Sequence, residues 1–279
     1  MKYKIEKNTV QETLIIPLYA RKVCSELYPN LYRDETAVRL IDEIDYDFSE
    51  TEKKSRGLMQ RFGSLEVAMR QNDLAFEVRD YLKSHPNAAV VNLGCGLDST
   101  GRSCDNGSCK IYNLDFPDVI AVRNELLPAG EREENIPCDL NNTEWFSQID
   151  ASGGAVFFAS GVFYYFLTEQ VKALVQAMAD AFPGSVLAFD AANRTAVKMI
   201  AKTWLKSAKI KDVGAYFAVS DAPKEISAWD SRLQVSSRGY MLGYTDLKDP
   251  SVSRFFRFLA KVGDGVMKMQ IVKIKFGGR

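Results

Sequence analysis

Residues 90–100 read VVNLGCGLDST. Together with Ala88 and Ala89, the run to Leu93 is short, apolar and β-branched, the pattern of a strand covered on both faces of a parallel sheet. Gly94 and Gly96 then leave bare backbone at its carboxyl end. Ligands of open α/β sheets bind at that edge, because free turn N–H groups face the crevice and small residues allow close approach. The stretch therefore predicts a nucleotide-like site where this strand ends.

Working outward, the segments AAVVNL, KIYNLD, NIPCDL, AVFFAS and VLAFD, between Ala88 and Asp190, alternate with helical patterns, which is the signature of βαβ units. The clearest helix runs from Thr168 to Phe182, with Val171, Leu174, Val175, Met178 and Phe182 on one face and Pro183-Gly184 ending it. Before the strands, Ala37, Leu40, Ile41 and Ile44, then Leu74, Val78, Tyr81 and Leu82, recur at helical spacing. This predicts a helical cap over residues 1–86 and a core over 87–279. After Asp190, AANRTAVKMIAKTWLKSAKI predicts a partly basic helix within a lid insertion around 191–230. KMQIVKIKF (268–276) alternates like a strand half exposed to water and predicts antiparallel insertion at the sheet edge.

The 279 residues, 46% hydrophobic, supply a sizeable core. Lys plus Arg and Asp plus Glu both number 36, and the absence of a long single-sign run argues against nucleic acid as a partner. No apolar stretch approaches the ~20 residues of a membrane span, and MKYKIEKNTVQET has no secretory core, so a cytoplasmic chain without a membrane partner is expected. Cys24, Cys95, Cys104, Cys109 and Cys138 are an odd set in a chain too large to need staples, as free thiols in a reducing compartment would be. Cys104 and Cys109 bracket DNGS, but two thiolates do not complete a zinc site. The single histidine, His85, precedes Pro86 at a helix end, which argues against a metal centre and against a Cys-His catalytic pair.

The glycines select among nucleotides. Ser99 stands where the dinucleotide fingerprint needs its third glycine, and no Gly-Lys-Ser/Thr closes a phosphate loop. Two glycines followed by the acid Asp98 suit a ligand without a pyrophosphate. Twenty-one residues after Gly94, Asp115 ends KIYNLD, where a carboxylate accepts both hydroxyl protons of a ribose. Asp139 follows the third strand, placed to accept from the exocyclic amine of adenine. In series these residues fit the adenosine of a methyl donor.

The chain resembles the leucine carboxyl methyltransferases and their bacterial relatives that methylate polyketide carboxylates. The likeness lies in YARK (19–22), YRDETA (32–37), MRQNDLAFEVRDYL (69–82), NLGCGLDST (92–100), NLDFPDVIAVRNELL (113–127), CDL (138–140) and ASGVFYYF (159–166). It implies a class I S-adenosylmethionine-dependent methyltransferase fold: a doubly wound, mostly parallel seven-stranded sheet with an antiparallel last strand and an N-terminal helical cap. It implies S-adenosylmethionine as cofactor, with Arg70 on its carboxylate and the backbone of Gly94, Cys95 and Gly96, with Asp98, beside its amino-acid portion. Asp115, Phe116 and Val119 would surround the ribose, Asp139 and Leu140 the adenine. Arg21 would approach the methionine end or the substrate. Many members carry a glutamate where this chain has Ser160, so the carbonyls of Gly94 and Ser160, with Gly161 beside them, would receive the donor's ammonium group. Read on composition alone, Arg70 and Arg21 would be solvated cations on helix surfaces.

A carboxylate acceptor, with a pKa around 4, is ionised at neutral pH and needs no general base, which suits a chain with one histidine. Arg21, Arg194 and Asn193 are candidates to orient it, and Tyr164, Tyr165, Trp204 and Tyr216 candidates for apolar walls that exclude water. The expected partner is a small-molecule acceptor. The alternatives are a hydroxyl or phenol methyltransferase using a base such as Asp190 or a tyrosinate, a donor-binding protein that has lost catalysis with the change at Ser160, and, more distantly, a dehydrogenase.

Overall fold

A computed structural model describes residues 2–5, 10–200 and 214–278. The first strand, β1 (Tyr3–Lys4), pairs in parallel with β2 (Ile44–Asp45), and between them lie α1 (Val10–Leu27) and α2 (Glu35–Glu43). Asp34 starts α2 by accepting the Ala37 N–H at 2.8 Å, and the helix buries Ala37, Leu40 and Ile41. Then come α3 (Ser49–Ser55) and the 27-residue α4 (Leu58–Ser84). The core alternates β3 (Ala89–Leu93), α5 (Thr100–Ser103), β4 (Lys110–Asp115), α6 (Pro117–Leu126), β5 (Glu133–Pro137), β6 (Ala155–Ala159), α7 (Thr168–Ala181) and β7 (Val186–Ala191). Beyond it are α8 (Arg194–Ile200), α9 (Ala222–Ser227), β8 (Leu233–Gly239), α10 (Arg254–Gly265) and β9 (Gln270–Phe276).

Seven strands form one sheet in the order β5-β4-β3-β6-β7-β9-β8, parallel from β5 to β7, with β9 antiparallel to both its neighbours. The chain leaves β3 toward β4 and β5, then returns to β6 on the other side. This makes the carboxyl ends of β3 and β6 the switch point at which such sheets bind ligands. Alternate residues of β3, β6 and β7 feed two cores. Val90, Phe158 and Ala188 meet Leu74 and Val78 of α4, whereas Val91, Phe157 and Phe189 meet Leu174 and Met178 of α7. A third cluster joins Leu14 and Leu18 of α1 to Leu97, Val119, Val122 and Leu126, so α1 lies over the turn that follows β3.

The departures from expectation have local causes. The strand expected over 135–140 runs from Glu133 to Pro137, its last bond to β4 running from the Cys138 N–H to the Asp115 carbonyl at 2.8 Å, and Asp139 lies in the loop beyond. The segment expected to begin a helix at Ala191 continues β7 through that residue. Helix α8 starts only after Asn193, whose side chain accepts the Ala196 N–H at 3.0 Å. Its expected continuation, with Trp204, falls outside the described residues. The last strand, β9, is inserted antiparallel as expected but is interior: β8 pairs outside it over Leu233–Gly239, and only Lys275 of the strand is exposed. The alternation of lysines reflects one weakly covered face, not a free edge.

Candidate functional site

The turn after β3 is held from below. Gly94 and Gly96 have φ of +67° and +47°. The Cys95 N–H donates to the Leu114 carbonyl (2.9 Å) and the Gly96 N–H to Asp115 Oδ2 (2.8 Å). At Gly94 a Cβ would lie 2.6 Å from Val162 Cγ2, so both the backbone conformation and the space demand glycine. Arg123 of α6, 1% exposed, donates through Nη1 to the carbonyls of Gly96 (2.9 Å) and Asp98 (2.8 Å). Nothing singled this arginine out in sequence. The available signal was its place at helical spacing among Val119, Ile120, Val122 and Leu126, all buried. Asp98 is itself buried, taking the Asn92 amide and both donors of Thr100.

Arg21 is no solvated cation: it is 3% exposed, with Nη2 on the Leu97 carbonyl (2.8 Å), Nε 3.0 Å from Asp34 Oδ2 and Nη1 4.0 Å from Asp98 Oδ1. It ties α1 and the start of α2 to the glycine turn. The resemblance set Arg21 near the methionine end or the substrate carboxylate; the contacts here anchor its guanidinium beside the turn that follows β3.

At the end of β4, Asp115 is half-buried and its two oxygens accept the Gly96 and Phe116 N–H groups, each at 2.8 Å. Burial pushes its carboxyl above the usual range. A carboxylate carries about four acceptor positions, so capacity remains for a ligand's hydroxyls. Phe116 is exposed at the rim, while Val119 is buried in the α1–α6 cluster and faces the core. Asp139 is exposed, with Oδ1 accepting the backbone and side-chain N–H groups of Asn141, and Leu140 beside it is buried.

Across the switch point, β6 is followed by Ser160 and Gly161. Ser160 Oγ is buried with no hydrogen-bond partner. Arg70 reaches over from α4 and donates through Nη1 to Asp190 Oδ2 of β7 at 3.0 Å, while its buried Nε has no partner. Asp190 Oδ1 accepts the Gly161 N–H at 2.6 Å, so neither oxygen is free of a strong donor. Arg70, for which a solvated surface cation was the alternative, is thus a half-buried member of an ion pair. Tyr164 is buried here, and burial together with Asp190 raises its hydroxyl well above the ordinary range. Tyr165 is more open at the mouth, its hydroxyl also raised by burial. One turn before Arg70, Glu66 is half-buried, and burial pushes its carboxyl up to about 7 against the pull of Arg70, with Asp264 adding to the rise. Sequence reading missed Glu66.

Arg194 and Tyr216 meet in a cleft of about 340 Å³ whose walls include Leu167, Lys198 and Ala215, and the Tyr216 N–H donates to the Tyr164 carbonyl at 2.7 Å. Asn193 is spent structurally, its amide nitrogen on the Val266 carbonyl at 2.8 Å. A larger cleft, about 570 Å³, lies within the cap between Tyr19, Glu26, Phe48 and Arg61 and includes no residue of the glycine turn. All five cysteines are free thiols, with Cys24, Cys95, Cys104 and Cys109 buried, and among the described residues no group of three or more metal-ligating side chains converges. Among those residues, too, no helix is long and apolar enough to cross a membrane.

A family model described as leucine carboxyl methyltransferase matches residues 16–179. The chain is 27% identical over 183 residues to the tetracenomycin polyketide synthesis O-methyltransferase TcmP of Streptomyces glaucescens, covering 65% of this chain and 66% of that protein. It is 25% identical over 258 residues to the S-adenosyl-L-methionine-dependent methyltransferase dpfgK of Gibberella zeae, covering 86% and 85%. Among solved structures, the plantazolicin methyltransferase BpumL in complex with SAH superposes with a TM-score of 0.51 at 12% identity, covering 96% and 99% of the two chains, a likeness of fold.

Proposed function

The chain belongs to the leucine carboxyl methyltransferase family, and from that premise we propose that it methylates a carboxylate of a small molecule, giving a methyl ester. It is an S-adenosylmethionine-dependent methyltransferase. The residues at the switch point suit that cofactor. A left-handed turn with bare backbone at Gly94 and Gly96, the unpartnered Nε of Arg70 and Oγ of Ser160, and a carboxylate at the end of β4 suit an amino acid joined to a nucleoside. In this reading Asp115 holds the ribose, Asp139 and Leu140 the adenine, Arg70 the donor carboxylate, and the Gly94–Gly96 backbone with Ser160 the ammonium group. When bound, S-adenosylmethionine supplies an electrophilic methyl group on a sulfonium, which an in-line nucleophile displaces to leave S-adenosylhomocysteine.

The observation that carries the carboxylate reading is the cleft beside Tyr164 and Tyr216: Arg194 and Lys198 line it and, among the described residues, no acid does. Two cations orient an anionic acceptor, and Tyr216, Leu167 and Val197 give an apolar body somewhere to rest. A carboxylate arrives ionised, so none of these residues has to remove a proton. The acid at the end of β7 that a hydroxyl acceptor would call on, Asp190, already accepts from Arg70 and Gly161. The test uses labelled donor, the protein and a cell extract, followed by mild alkali on the methylated product. Label released as methanol is the expected result; label that stays on the acceptor is an ether and overturns the reading.

One observation favours the second reading, methylation of a hydroxyl or phenol. Glu66, its carboxyl pushed up to about 7 one turn from Arg70, is poised to act as a general base near neutrality. Under that reading the rate climbs through about pH 7 and falls in Glu66→Gln. Under the carboxylate reading it stays flat from about pH 6 to 9.

A further inference from the structure

Arg70 and Asp190 lie 120 residues apart, on different elements, and meet at 3.0 Å with 15% and 1% of their side chains exposed. The pair is built into a larger arrangement. Asp190 Oδ1 takes the Gly161 N–H at 2.6 Å, and the Tyr164 hydroxyl also hydrogen-bonds the carboxylate, so one acid joins α4, the loop after β6 and the end of β7. The guanidinium lies flat against Gly161. A Cβ there would come 3.0, 3.1 and 3.2 Å from Nη1, Nη2 and Cζ, and Gly161 has φ +72°, so the position is left-handed as well as crowded. Arg70 is therefore clamped between a carboxylate and a bare backbone while its Nε finds no protein partner. An arginine with nothing to hold would not need this, since a long flexible side chain is ordinarily free to choose its own rotamer.

We propose that Asp190 is a positioning residue for the methyl donor: it fixes Arg70 over Gly161, so that the remaining N–H groups are set in advance for the donor's carboxylate. The inference rests on Arg70 holding that carboxylate and assigns Asp190 a role distinct from general base. Fixing the guanidinium beforehand removes the ordering cost that a mobile arginine would meet on each binding event. Replacing the acid by an amide keeps an acceptor for Gly161 but turns an N–H group toward Arg70, donor against donor, and frees the guanidinium.

The experiment is calorimetric titration of the full-length protein with S-adenosylhomocysteine and with 5′-methylthioadenosine, which has the nucleoside but lacks the amino acid. In Asp190→Asn the first should bind about tenfold or more weakly and the second within about twofold of wild type, because a freed guanidinium loses only the amino-acid half of the ligand. Asp190→Glu, which keeps the charge, should recover part of the difference. The double variant Arg70→Ala/Asp190→Asn should bind S-adenosylhomocysteine no more weakly than Arg70→Ala alone, because the two residues act through one contact. Equal losses for both ligands in Asp190→Asn would assign the acid to folding alone, and no loss for either would remove it from donor binding; both results overturn the proposal. If Arg70→Ala itself fails to distinguish the two ligands, Arg70 does not hold the carboxylate, and the proposal falls with that premise.

Discussion

Gly94→Ala probes the turn on which everything at the switch point depends. At φ +67° a non-glycine residue is strained by roughly 1–2 kcal/mol. The new Cβ also meets Val162 at 2.6 Å (Cγ2) and 3.0 Å (Cγ1), and such overpacking costs about 1–3 kcal/mol. The sum, roughly 2–5 kcal/mol, corresponds to a fall in melting temperature of about 3 to 9 °C for a chain of this size. The two contributions separate in the double variant Gly94→Ala/Val162→Ala, which removes the methyl groups in the way but leaves the backbone strain, so about half of the lost melting temperature should return. Differential scanning calorimetry gives the stabilities, and titration with S-adenosylhomocysteine tells whether the turn still receives the donor; binding should weaken in the single variant and recover in the double. A Gly94→Ala protein that melts within about a degree of wild type and binds equally well would refute the argument, because neither strain nor crowding would then exist at this position.

Two further outcomes follow from the same geometry. Asp115→Asn leaves one carbonyl oxygen for the Gly96 and Phe116 N–H groups and for the ribose together, so both S-adenosylhomocysteine and 5′-methylthioadenosine should bind about 10- to 100-fold more weakly by calorimetry; an unchanged affinity would mean the ribose rests on another acid. Asp73 is 3% exposed, its Oδ2 has no partner, and burial with Asp264 and Glu77 nearby pushes its carboxyl up to about 9. The folded state therefore holds a proton that the unfolded chain has released, and stability is lost as pH rises from about 4 toward 9. Asp73→Asn should melt close to wild type near pH 4 and increasingly above it toward pH 8, whereas parallel melting curves across that range would contradict the assignment.

The fold was legible where a requirement is written into single residues. A left-handed turn under a buried strand leaves glycine at 94 and 96, and a helix packed on the sheet leaves Val171, Leu174, Val175 and Met178 at period 3.6. Strand β8 was not legible, because LQVSSRG has weak alternation and owes its conformation to the ladder with β9. The candidate site divides the same way. Asp115 was readable from its place at a strand end, and the fold puts it against the glycine turn. The commitments of Arg21 to Asp34 and Leu97, of Arg70 to Asp190, and of Arg123 to the turn carbonyls join residues distant in sequence. Nothing in an isolated arginine tells a surface cation from a buried clamp, since that difference is made by tertiary neighbours.

The most direct measurement is a crystal structure with S-adenosylhomocysteine bound. The account predicts ribose hydroxyls within hydrogen-bond distance of Asp115, the amino-acid carboxylate on Arg70 with the Asp190 contact intact, and the sulfur facing the cleft of Arg194, Lys198 and Tyr216. A ligand seated in the cap cleft between Tyr19 and Arg61, or one at the switch point whose ribose avoids Asp115 and whose carboxylate avoids Arg70, would contradict it.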